Sequence, residues 1–280
     1  MEEEEEAKAV GEMCYSSDPC DPEDLEALEA KLEEHAMSKK QVVEFWKTKY
    51  EEQAHKYWDL FYKRNKTNFF KDRHYLDQEF PQIFEPSPEP KHLLEVGCGV
   101  GNTIFPLLRH VPHLHVHGID FSPRAIQMVR EHSLYAMGRC TAHVCDIVKD
   151  SFPEQVASGT MDFVMVMFVM SAIHPDHHLV VFKKLFDSLK PGGFLFFRDY
   201  GLYDMAQVRL KGESRLGHKF YVRCDGTRTY FFELEELAGI FEGCGGEPLL
   251  MTYSRKIIKN RKEKTEMKRV WVQCIVRKPE

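Results

Sequence analysis

The sequence lacks the features of a membrane, secreted or zinc-binding protein. Its longest apolar run, residues 163–170, is much shorter than the roughly 20 residues that a membrane-spanning helix needs. The eight cysteines include no C-x-x-C pair, and the chain starts with Met and five Glu, unlike a secretory signal or an Arg-rich transit peptide. His113, His115 and His117 alternate, and strand alternation accounts for them better than a metal site. These absences predict a protein without a metal, in a reduced compartment that is cytoplasmic or nuclear.

Positive charge is scarce in the N-terminal segment and collects in the rest of the chain. Residues 1–36 hold 14 acidic and two basic side chains, a net charge of −12, so the whole-chain charge of −6 leaves +6 on residues 37–280. A basic body under an acidic head is typical of a protein with a polyanionic partner, and ordinary solvated charge is the alternative. We expect residues 1–36 to be an acidic, disordered head, within which 23–36 have the spacing of a solvated helix.

The most informative feature is a run of three glycines at alternate positions. Residues 94–101 read Leu-Glu-Val-Gly-Cys-Gly-Val-Gly, which predicts a strand, a tight turn and the start of a helix. Glycine lets the backbone adopt positive φ and lets a ligand approach the main chain closely. The spacing differs from the G-x-G-x-x-G of dinucleotide-binding folds. By itself it also fits a structural turn in another α/β protein.

Acidic residues end the next two predicted strands. Asp120 ends the strand 113–120, about 20 residues after the glycines, and Asp146 ends the strand 140–146. In nucleotide-binding folds, an acid at the end of the second strand accepts hydrogen bonds from both ribose hydroxyls. A lone acid at a strand end is usually a cap or a turn residue, but two at ordered intervals favour a ligand site.

Strands and helices alternate from residue 92 onward, which predicts an α/β fold with a mostly parallel sheet covered on both faces. Helical periodicity and an aromatic, basic stretch predict an N-terminal extension over residues 37–84. The Pro-rich residues 85–90 predict a linker, and residues 91–280 form the main domain. Its predicted elements span 92–97, 102–110, 113–120, 123–132, 140–146, 161–170, 176–189 and 194–199, with a turn at 190–193.

Several segments resemble those of one enzyme family. The glycine run is similar to motif I of the class I S-adenosylmethionine-dependent methyltransferases, and a Lys-Pro-Gly-Gly turn like 190–193 is common in that class. More specific segments, spread over roughly residues 50–276, resemble the tRNA N3-methylcytidine methyltransferases. These segments are 57–62, 68–75, 168–176, 198–207, 220–232 and 269–274. Residues 204–207 and 269–274 look most like the branch that acts on threonine tRNAs and certain arginine tRNAs.

The resemblance implies a fold and a reaction. The fold is the class I methyltransferase fold, with a Rossmann-like, mostly parallel sheet, a C-terminal antiparallel hairpin and an N-terminal helical extension. The reaction is formation of 3-methylcytidine at position 32 of the anticodon loop in a subset of tRNAs. The resemblance also implies that the cofactor is S-adenosylmethionine and that the partner is tRNA, with no binding to DNA or to a membrane. A synthetase-like or anticodon-binding protein is a possible helper. A protein or small-molecule methyltransferase and a non-catalytic RNA-binding subunit stay open as alternatives.

The resemblance also implies which residues hold the cofactor, namely an aromatic pair on the N-terminal helix and groups at the strand ends. Trp58 and Tyr62 are four residues apart, so they share one helix face, and aromatic rings attract a sulfonium cation. Core packing is the alternative for this pair and for Met167. The matching positions are Trp58, Tyr62, Gly97, Gly99, Asp120, Asp146 and Met167.

Methyl transfer to N3 of neutral cytosine needs positioning more than a general base, because N3 already carries a lone pair. The product base is positively charged, so a carboxylate near its amine stabilises the developing charge. Asp199, at the end of the strand 194–199, is the candidate for this role, with Arg198 beside it. An Asp199–Arg198 ion pair or a turn cap is the alternative.

The candidate RNA contacts lie in the aromatic and basic stretches 62–75 and 207–230. They are Arg73, His74, Arg223 and Arg228. Aromatic candidates for stacking on an extruded cytidine are Phe69, Phe70, Tyr75 and Tyr221. The basic run over 255–269 predicts a charged loop between the last two strands that grips phosphates, with a solvated loop as the alternative.

Overall fold

The computed structural model describes residues 13–38, 40–67, 69, 71–260 and 265–280, with all of their side chains except 259, 260 and 265. The strands are β1 Cys14–Ser16, β2 Lys91–Val96, β3 Leu114–Asp120, β4 Cys140–Val144, β5 Met161–Met167, β6 Leu189–Tyr200, β7 Arg215–Gly217, β8 Phe220–Val222, β9 Arg228–Tyr230, β10 Glu247–Asn260 and β11 Thr265–Arg277. Eight of them form one sheet in the order β4-β3-β2-β5-β6-β11-β10-β1, and β7, β8 and β9 form a second, small sheet.

The large sheet has a parallel half and an antiparallel half. Parallel pairing joins β4, β3, β2, β5 and β6, whereas β11, β10 and β1 add antiparallel strands beside β6. This arrangement confirms the predicted α/β fold with a C-terminal antiparallel hairpin. Because the parallel strands run in one direction, β2, β3 and β5 end at the same edge of the sheet.

The helices are α1 Pro22–Ala36, α2 Glu44–Glu52, α3 Ala54–Asn65, α4 Leu76–Glu79, α5 Ile104–His110, α6 Pro123–Glu131, α7 His178–Ser188, α8 Met205–Arg209 and α9 Leu234–Gly243. The N-terminus of α6 has the capping chemistry that its sequence predicts. Ser122 Oγ accepts a hydrogen bond from the Ala125 N–H, and Pro123 is the first helical residue. No helix among the described residues has the length and apolar character needed to cross a membrane.

The core lies on both faces of the large sheet because successive strand residues point to opposite sides. Leu93, Met165 and Phe196 are fully buried in one apolar cluster, and Leu94 and Val164 are fully buried in the other. Burying each such side chain contributes about 1.5–3 kcal/mol before entropy is counted. The same alternation sends the side chains of residues 198 and 199 to opposite faces of β6.

Two local expectations differ from the structure. Residues 190–193 belong to β6 rather than to a separate turn. The pairing of β6 with β5 is irregular there, and Gly192 accommodates the irregularity with φ +73°. Residues 13–36 are not a disordered stretch, since β1 pairs with β10, the Thr252 hydroxyl donates to the Ser16 carbonyl, and α1 covers the expected helix at 23–36. The remaining part of that expectation, residues 1–12, lies outside the described residues.

Candidate active site

A cavity of about 270 Å³ opens at the edge of the sheet where β2, β3 and β5 end. The glycine turn after β2 and the end of β3 form its floor, and residues 145–149 form one side. The helices α2 and α3, together called the lid helices below, form its outer wall. The cavity therefore lies where parallel α/β sheets bind ligands.

The glycine turn brings the main chain to the cavity surface. Gly97 has φ +59°, and a Cβ atom there would lie 2.4 Å from Val169 Cγ2, so a larger residue fits neither the backbone nor the space. Gly99 lies behind this wall with φ +55°, where a Cβ atom would lie 2.9 Å from Tyr62 Oη. The glycine turn is thus packed between Val169, which follows β5, and Tyr62 of the lid.

Asp120 presents a buried carboxylate to the cavity. Its Oδ2 accepts a hydrogen bond from the Gly99 N–H at 3.0 Å, and its Oδ1 accepts one from the Ser122 N–H at 2.8 Å. Burial raises the pKa of Asp120 to about 6, so the group is largely ionised at neutral pH. Each carboxylate oxygen can accept more than one hydrogen bond. The fixed carboxylate therefore keeps acceptor capacity for hydroxyl groups of a ligand.

Trp58 and Tyr62 project from α3 into the cavity wall. Their ring centroids are 6.1 Å apart, and both residues line the cavity. Asp59, between them, anchors the helix because its Oδ1 accepts a hydrogen bond from Ser122 Oγ at 2.8 Å. Its Oδ2 lies 3.4 Å from Arg124 Nε. The start of α6 thereby fixes the aromatic pair above Asp120.

Asp146 and Met167 occupy different positions. Asp146 lines the cavity beside Ile147, and its Oδ1 accepts a hydrogen bond from the Val148 N–H at 3.0 Å. Met167 is only 5% exposed and packs in the apolar cluster that contains Phe196. The structure thus brings Asp146 to the cavity and leaves Met167 in the core behind it.

These groups suit a nucleoside ligand that carries a positive charge. A fixed carboxylate matches a ribose diol, aromatic faces match a cation, and Ile119, Ile147 and Val169 offer apolar surface to a planar base. S-Adenosylmethionine has all three parts, so the residues present fit this cofactor.

A family profile described as a methyltransferase domain matches residues 69–249. The human tRNA N(3)-cytidine methyltransferase METTL6 is 45% identical over 241 residues, which cover 85% of this chain and 85% of that protein. The chain belongs to the tRNA N3-cytidine methyltransferase family. The family, the enzyme class and the cofactor predicted from the sequence are confirmed.

A second relative and a solved structure are also similar to this chain. The Drosophila melanogaster tRNA N(3)-methylcytidine methyltransferase Mettl2 is 38% identical over 266 residues, covering 92% of this chain and 81% of that protein. Among solved structures, an S-adenosylmethionine-dependent methyltransferase from Anabaena variabilis aligns with a TM-score of 0.58 at 17% identity. The alignment covers 80% of this chain and 94% of that one, and this likeness concerns the fold.

The two candidate catalytic residues of the methyltransferase lie on opposite faces of β6. Asp199 is fully buried, and its oxygens accept hydrogen bonds from the N–H groups of Ser171 at 2.9 Å and Tyr200 at 2.9 Å. Burial raises its pKa to about 6. Arg198 pairs with Glu79 at 3.0 Å rather than with Asp199, and it lies over the Tyr75 ring. Neither side chain lines the cavity.

The four candidate RNA contacts are dispersed. Arg73 donates to Thr103 Oγ1 at 3.1 Å, whereas His74 is exposed. The Arg223 guanidinium lies 5.2 Å from the centre of the Tyr200 ring. Arg228 is only 5% exposed, lines the cavity and has protein groups as partners. Of these four, His74 alone is exposed, Arg73 and Arg223 are partly buried, and Arg228 is buried.

The aromatic and basic surfaces are smaller than the sequence indicates. Tyr221 is buried and Tyr75 is partly buried, Phe69 is 53% exposed, and Phe70 lies outside the described residues. In the basic hairpin of β10 and β11, Arg255 pairs with Asp21 at 2.6 Å and Lys268 pairs with Asp24 at 2.6 Å. The acidic head therefore covers part of the predicted phosphate grip. The loop at 261–264 lies outside the described residues.

Of the three alternating histidines, His117 has hydrogen-bonding neighbours on the two adjacent strands. His92 Nδ1 lies 3.0 Å from His117 Nε2, and His117 Nδ1 lies 2.9 Å from Thr141 Oγ1. The part of the chain that the structure describes contains no group of three or more His, Cys, Asp or Glu side chains placed to hold a metal ion.

Sequence reasoning missed several residues of the site. Glu51 and His55 line the cavity with Trp58 and Tyr62, and their spacing of four, three and four residues is that of one helical face. This spacing is the sequence signal from which the cavity-facing side of the lid could have been predicted. Glu95, next to the glycine turn, is fully buried, and burial raises its pKa to about 8. No pattern in the sequence marks that shift.

Proposed function

We propose that this methyltransferase forms 3-methylcytidine at position 32 in the anticodon loop of a subset of tRNAs, with threonine tRNAs as the first candidates. The observation that carries the proposal is the 45% identity over 85% of the chain to a protein named as a tRNA N(3)-cytidine methyltransferase. A cavity that fits the cofactor supports the same reaction.

The lid and the strand ends supply binding and orientation. S-Adenosylmethionine, when bound, supplies a methyl group on a sulfonium. Asp120 accepts hydrogen bonds from the ribose hydroxyls, and Trp58 and Tyr62 face the cation. The Gly97 turn provides main-chain contact without a Cβ atom in the way. Cytosine N3 needs no proton removed, so this orientation provides most of the catalytic effect.

Asp199 acts through its neighbours in this proposal. Its burial and its bonds to the Ser171 and Tyr200 N–H groups support a role in holding the turn Met170–Ala172 at the cavity edge. A direct contact between its carboxylate and the cytosine amine requires that turn to move. Arg198 holds Glu79, and with it α4, against the other face of β6.

RNA binding is assigned to the groove between α2 and residues 206–229. Trp46 and Tyr50 line it from the lid, and Arg209, Lys211 and Arg223 line it from the opposite side. Aromatic rings beside cations suit an unstacked RNA strand. The groove lies against the lid, so a loop bound there is close to the cofactor cavity.

The proposal includes a partner and a location. A synthetase-like or anticodon-binding helper supplies tRNA selection. The eight cysteines form no disulfide, which supports a cytoplasmic or nuclear location.

The test is incubation of the protein with S-adenosylmethionine and threonine, serine and arginine tRNAs, followed by nucleoside mass spectrometry. Each tRNA is used both as a transcript and as purified from cells that lack the enzyme. We expect 3-methylcytidine in the threonine tRNA. A signal in serine or arginine tRNA alone corrects the substrate set and leaves the reaction unchanged. Labelling of protein or small molecules without tRNA overturns the proposal.

A further inference from the structure

Arg228 is a buried cation that joins separate parts of the molecule at the cofactor cavity. Its Nη1 pairs with Glu51 Oε2 at the end of α2, and its Nη2 donates to the Ala172 carbonyl at 2.8 Å. The guanidinium also lies 5.6 Å from the centre of the Phe220 ring. A buried charge is costly unless it is paired, so these partners hold the guanidinium in one place.

The turn that precedes Arg228 rests against the lid helices. Gly226 has φ +84°, and a Cβ atom there would lie 2.3 Å from Tyr57 Cδ1 in α3. Asp225 Oδ1 accepts hydrogen bonds from the Thr227 N–H at 2.9 Å and from Thr227 Oγ1 at 2.7 Å. The turn is thus internally bonded, and it approaches α3 so closely that only glycine fits at position 226.

The other partner of Arg228 leads across the cavity. Ala172 ends the turn Met170–Ala172, and the preceding Ser171 N–H donates to Asp199 Oδ2 at 2.9 Å. A continuous set of contacts therefore runs from the end of β6 to the end of α2. It passes through Asp199, Ser171, Ala172, Arg228 and Glu51.

Besides the packing of the turn before Arg228 against α3, a hydrogen bond and an ion pair hold the two lid helices separately. A break at Gln53, with φ −102° and ψ 17°, separates α2 from α3. Asp59 ties α3 to the start of α6, whereas Glu51 ties α2 to Arg228. The Glu51–Arg228 pair connects α2 to the cavity edge opposite the lid, because Arg228 and its partner Ala172 both line the cavity.

We propose that the Glu51–Arg228 pair is a latch that closes the lid helices over the cofactor. Both are positioning residues that act through the lid, which carries Trp58 and Tyr62. Because Arg228 also holds Ala172, lid closure and ordering of the turn beside Asp199 occur together. The inference deepens the proposed function and rests on it for the substrate side, while its cofactor side is testable without tRNA.

The first test is a double-mutant cycle on the full chain, read as the Kd for S-adenosylmethionine by titration calorimetry without tRNA. We expect Glu51→Gln to weaken binding about tenfold, because the buried Arg228 guanidinium is left without its carboxylate. We expect Arg228→Gln to weaken binding at least as much, because it removes the contacts with both Glu51 and the Ala172 carbonyl. The double variant is expected to bind no more weakly than Arg228→Gln. Glu44→Gln, which removes the same charge from the exposed start of α2, is the matched control and stays within twofold of the wild type.

The latch is overturned if Glu51→Gln binds within twofold of the wild type, or if the two single losses multiply in the double variant. Hydrogen exchange gives a second readout. Glu51→Gln is expected to speed exchange in residues 44–52 and to leave the amides of β2, β3 and β5 unchanged. Faster exchange throughout the sheet would instead show a destabilised fold and contradict the latch.

Arg228→Lys separates charge from geometry. An ammonium keeps the charge but lacks the two separate nitrogens through which the planar guanidinium reaches Glu51 and Ala172, so we expect cofactor affinity between those of the wild type and Arg228→Gln. An affinity equal to that of Arg228→Gln would contradict a charge-based latch. If the cycle behaves as expected while no tRNA is methylated, the latch stands and the proposed function fails.

Discussion

At the scale of single residues, Gly97 shows how backbone conformation and space combine at the cavity. Its positive φ was predictable from the glycine spacing, because a turn before a ligand needs that freedom. The contact with Val169 was not predictable, since the two residues are 72 positions apart in the sequence. Both constraints act on the same atom, a Cβ that glycine lacks.

Gly97→Ala tests that combined constraint. We expect the variant to lose at least tenfold in S-adenosylmethionine affinity by calorimetry, because its methyl group displaces Val169 and strains the turn. Gly138→Ala is the matched control, since Gly138 also has positive φ, +75°, but open space around its Cβ position. The control is expected to cost about 1 kcal/mol of stability and no affinity. Equal affinity losses in both variants would contradict the account.

Glu95 predicts a pH dependence of stability. Burial raises its pKa from 4.5 to about 8, so between these pH values the folded protein keeps a proton that the unfolded chain releases. The unfolding free energy therefore falls as pH rises from about 4.5 to about 8, by at most about 1.4 kcal/mol per pH unit from this group.

Thermal unfolding of Glu95→Gln checks this sign. The glutamine cannot ionise, so the stability of the variant relative to the wild type is expected to improve as the pH rises from about 5 to about 8 and to level off above that. Glu154→Gln, at an exposed position, serves as the control and should shift by the same amount at every pH. A Glu95→Gln difference that is independent of pH would rule out the buried, protonated carboxyl.

At the scale of secondary structure, the elements around the glycine turn were predictable and the lid was only partly so. Apolar runs and caps placed β2, β3, β5 and α6 within a few residues, because local patterning and burial agree there. The lid helices carry their signal in the spacing of Glu51, His55, Trp58 and Tyr62. That spacing shows which residues share one side of the lid, but it does not show that this side covers the cavity. The position of the lid depends on the contacts of Asp59 with the start of α6.

The position of Trp58 in the cavity wall predicts that its ring favours a positively charged ligand over a neutral one. We expect Trp58→Ala to weaken S-adenosylmethionine binding about tenfold, and to weaken binding of the neutral S-adenosylhomocysteine less, because a ring face attracts the sulfonium. Leu60→Ala, at a 42% exposed position on the same helix, is the control and should bind both ligands normally. Equal losses for the two ligands would mean that the ring acts through packing alone.

At the scale of the whole molecule, the charge balance was predictable but its arrangement was not. Composition separates an acidic head from a basic body, yet it cannot show that Asp21 and Asp24 pair with Arg255 and Lys268. These pairs join positions more than 200 residues apart, and they follow from β1 extending the edge of the sheet. The surface that composition assigns to a polyanion is thus partly occupied by the protein itself.

Asp21→Asn/Asp24→Asn tests whether that surface binds tRNA. Removing both carboxylates frees two cations, so we expect tighter tRNA binding and a slope of log Kd against log salt that is steeper by about one to two. Glu23→Gln/Glu26→Gln removes the same charge from exposed positions on α1 and is the control. Identical affinities and slopes for both double variants would exclude the hairpin from the RNA surface.

The most direct test of the whole account uses two threonine tRNAs that differ only in having cytidine or uridine at position 32. Both are purified from cells that lack the enzyme, incubated with S-adenosylmethionine and the protein, and analysed by nucleoside mass spectrometry. We expect 3-methylcytidine in the cytidine-32 tRNA alone, and we expect Asp120→Asn to lose both that signal and cofactor affinity. Equal 3-methylcytidine in both tRNAs, or none in either while the cofactor binds normally, would contradict it.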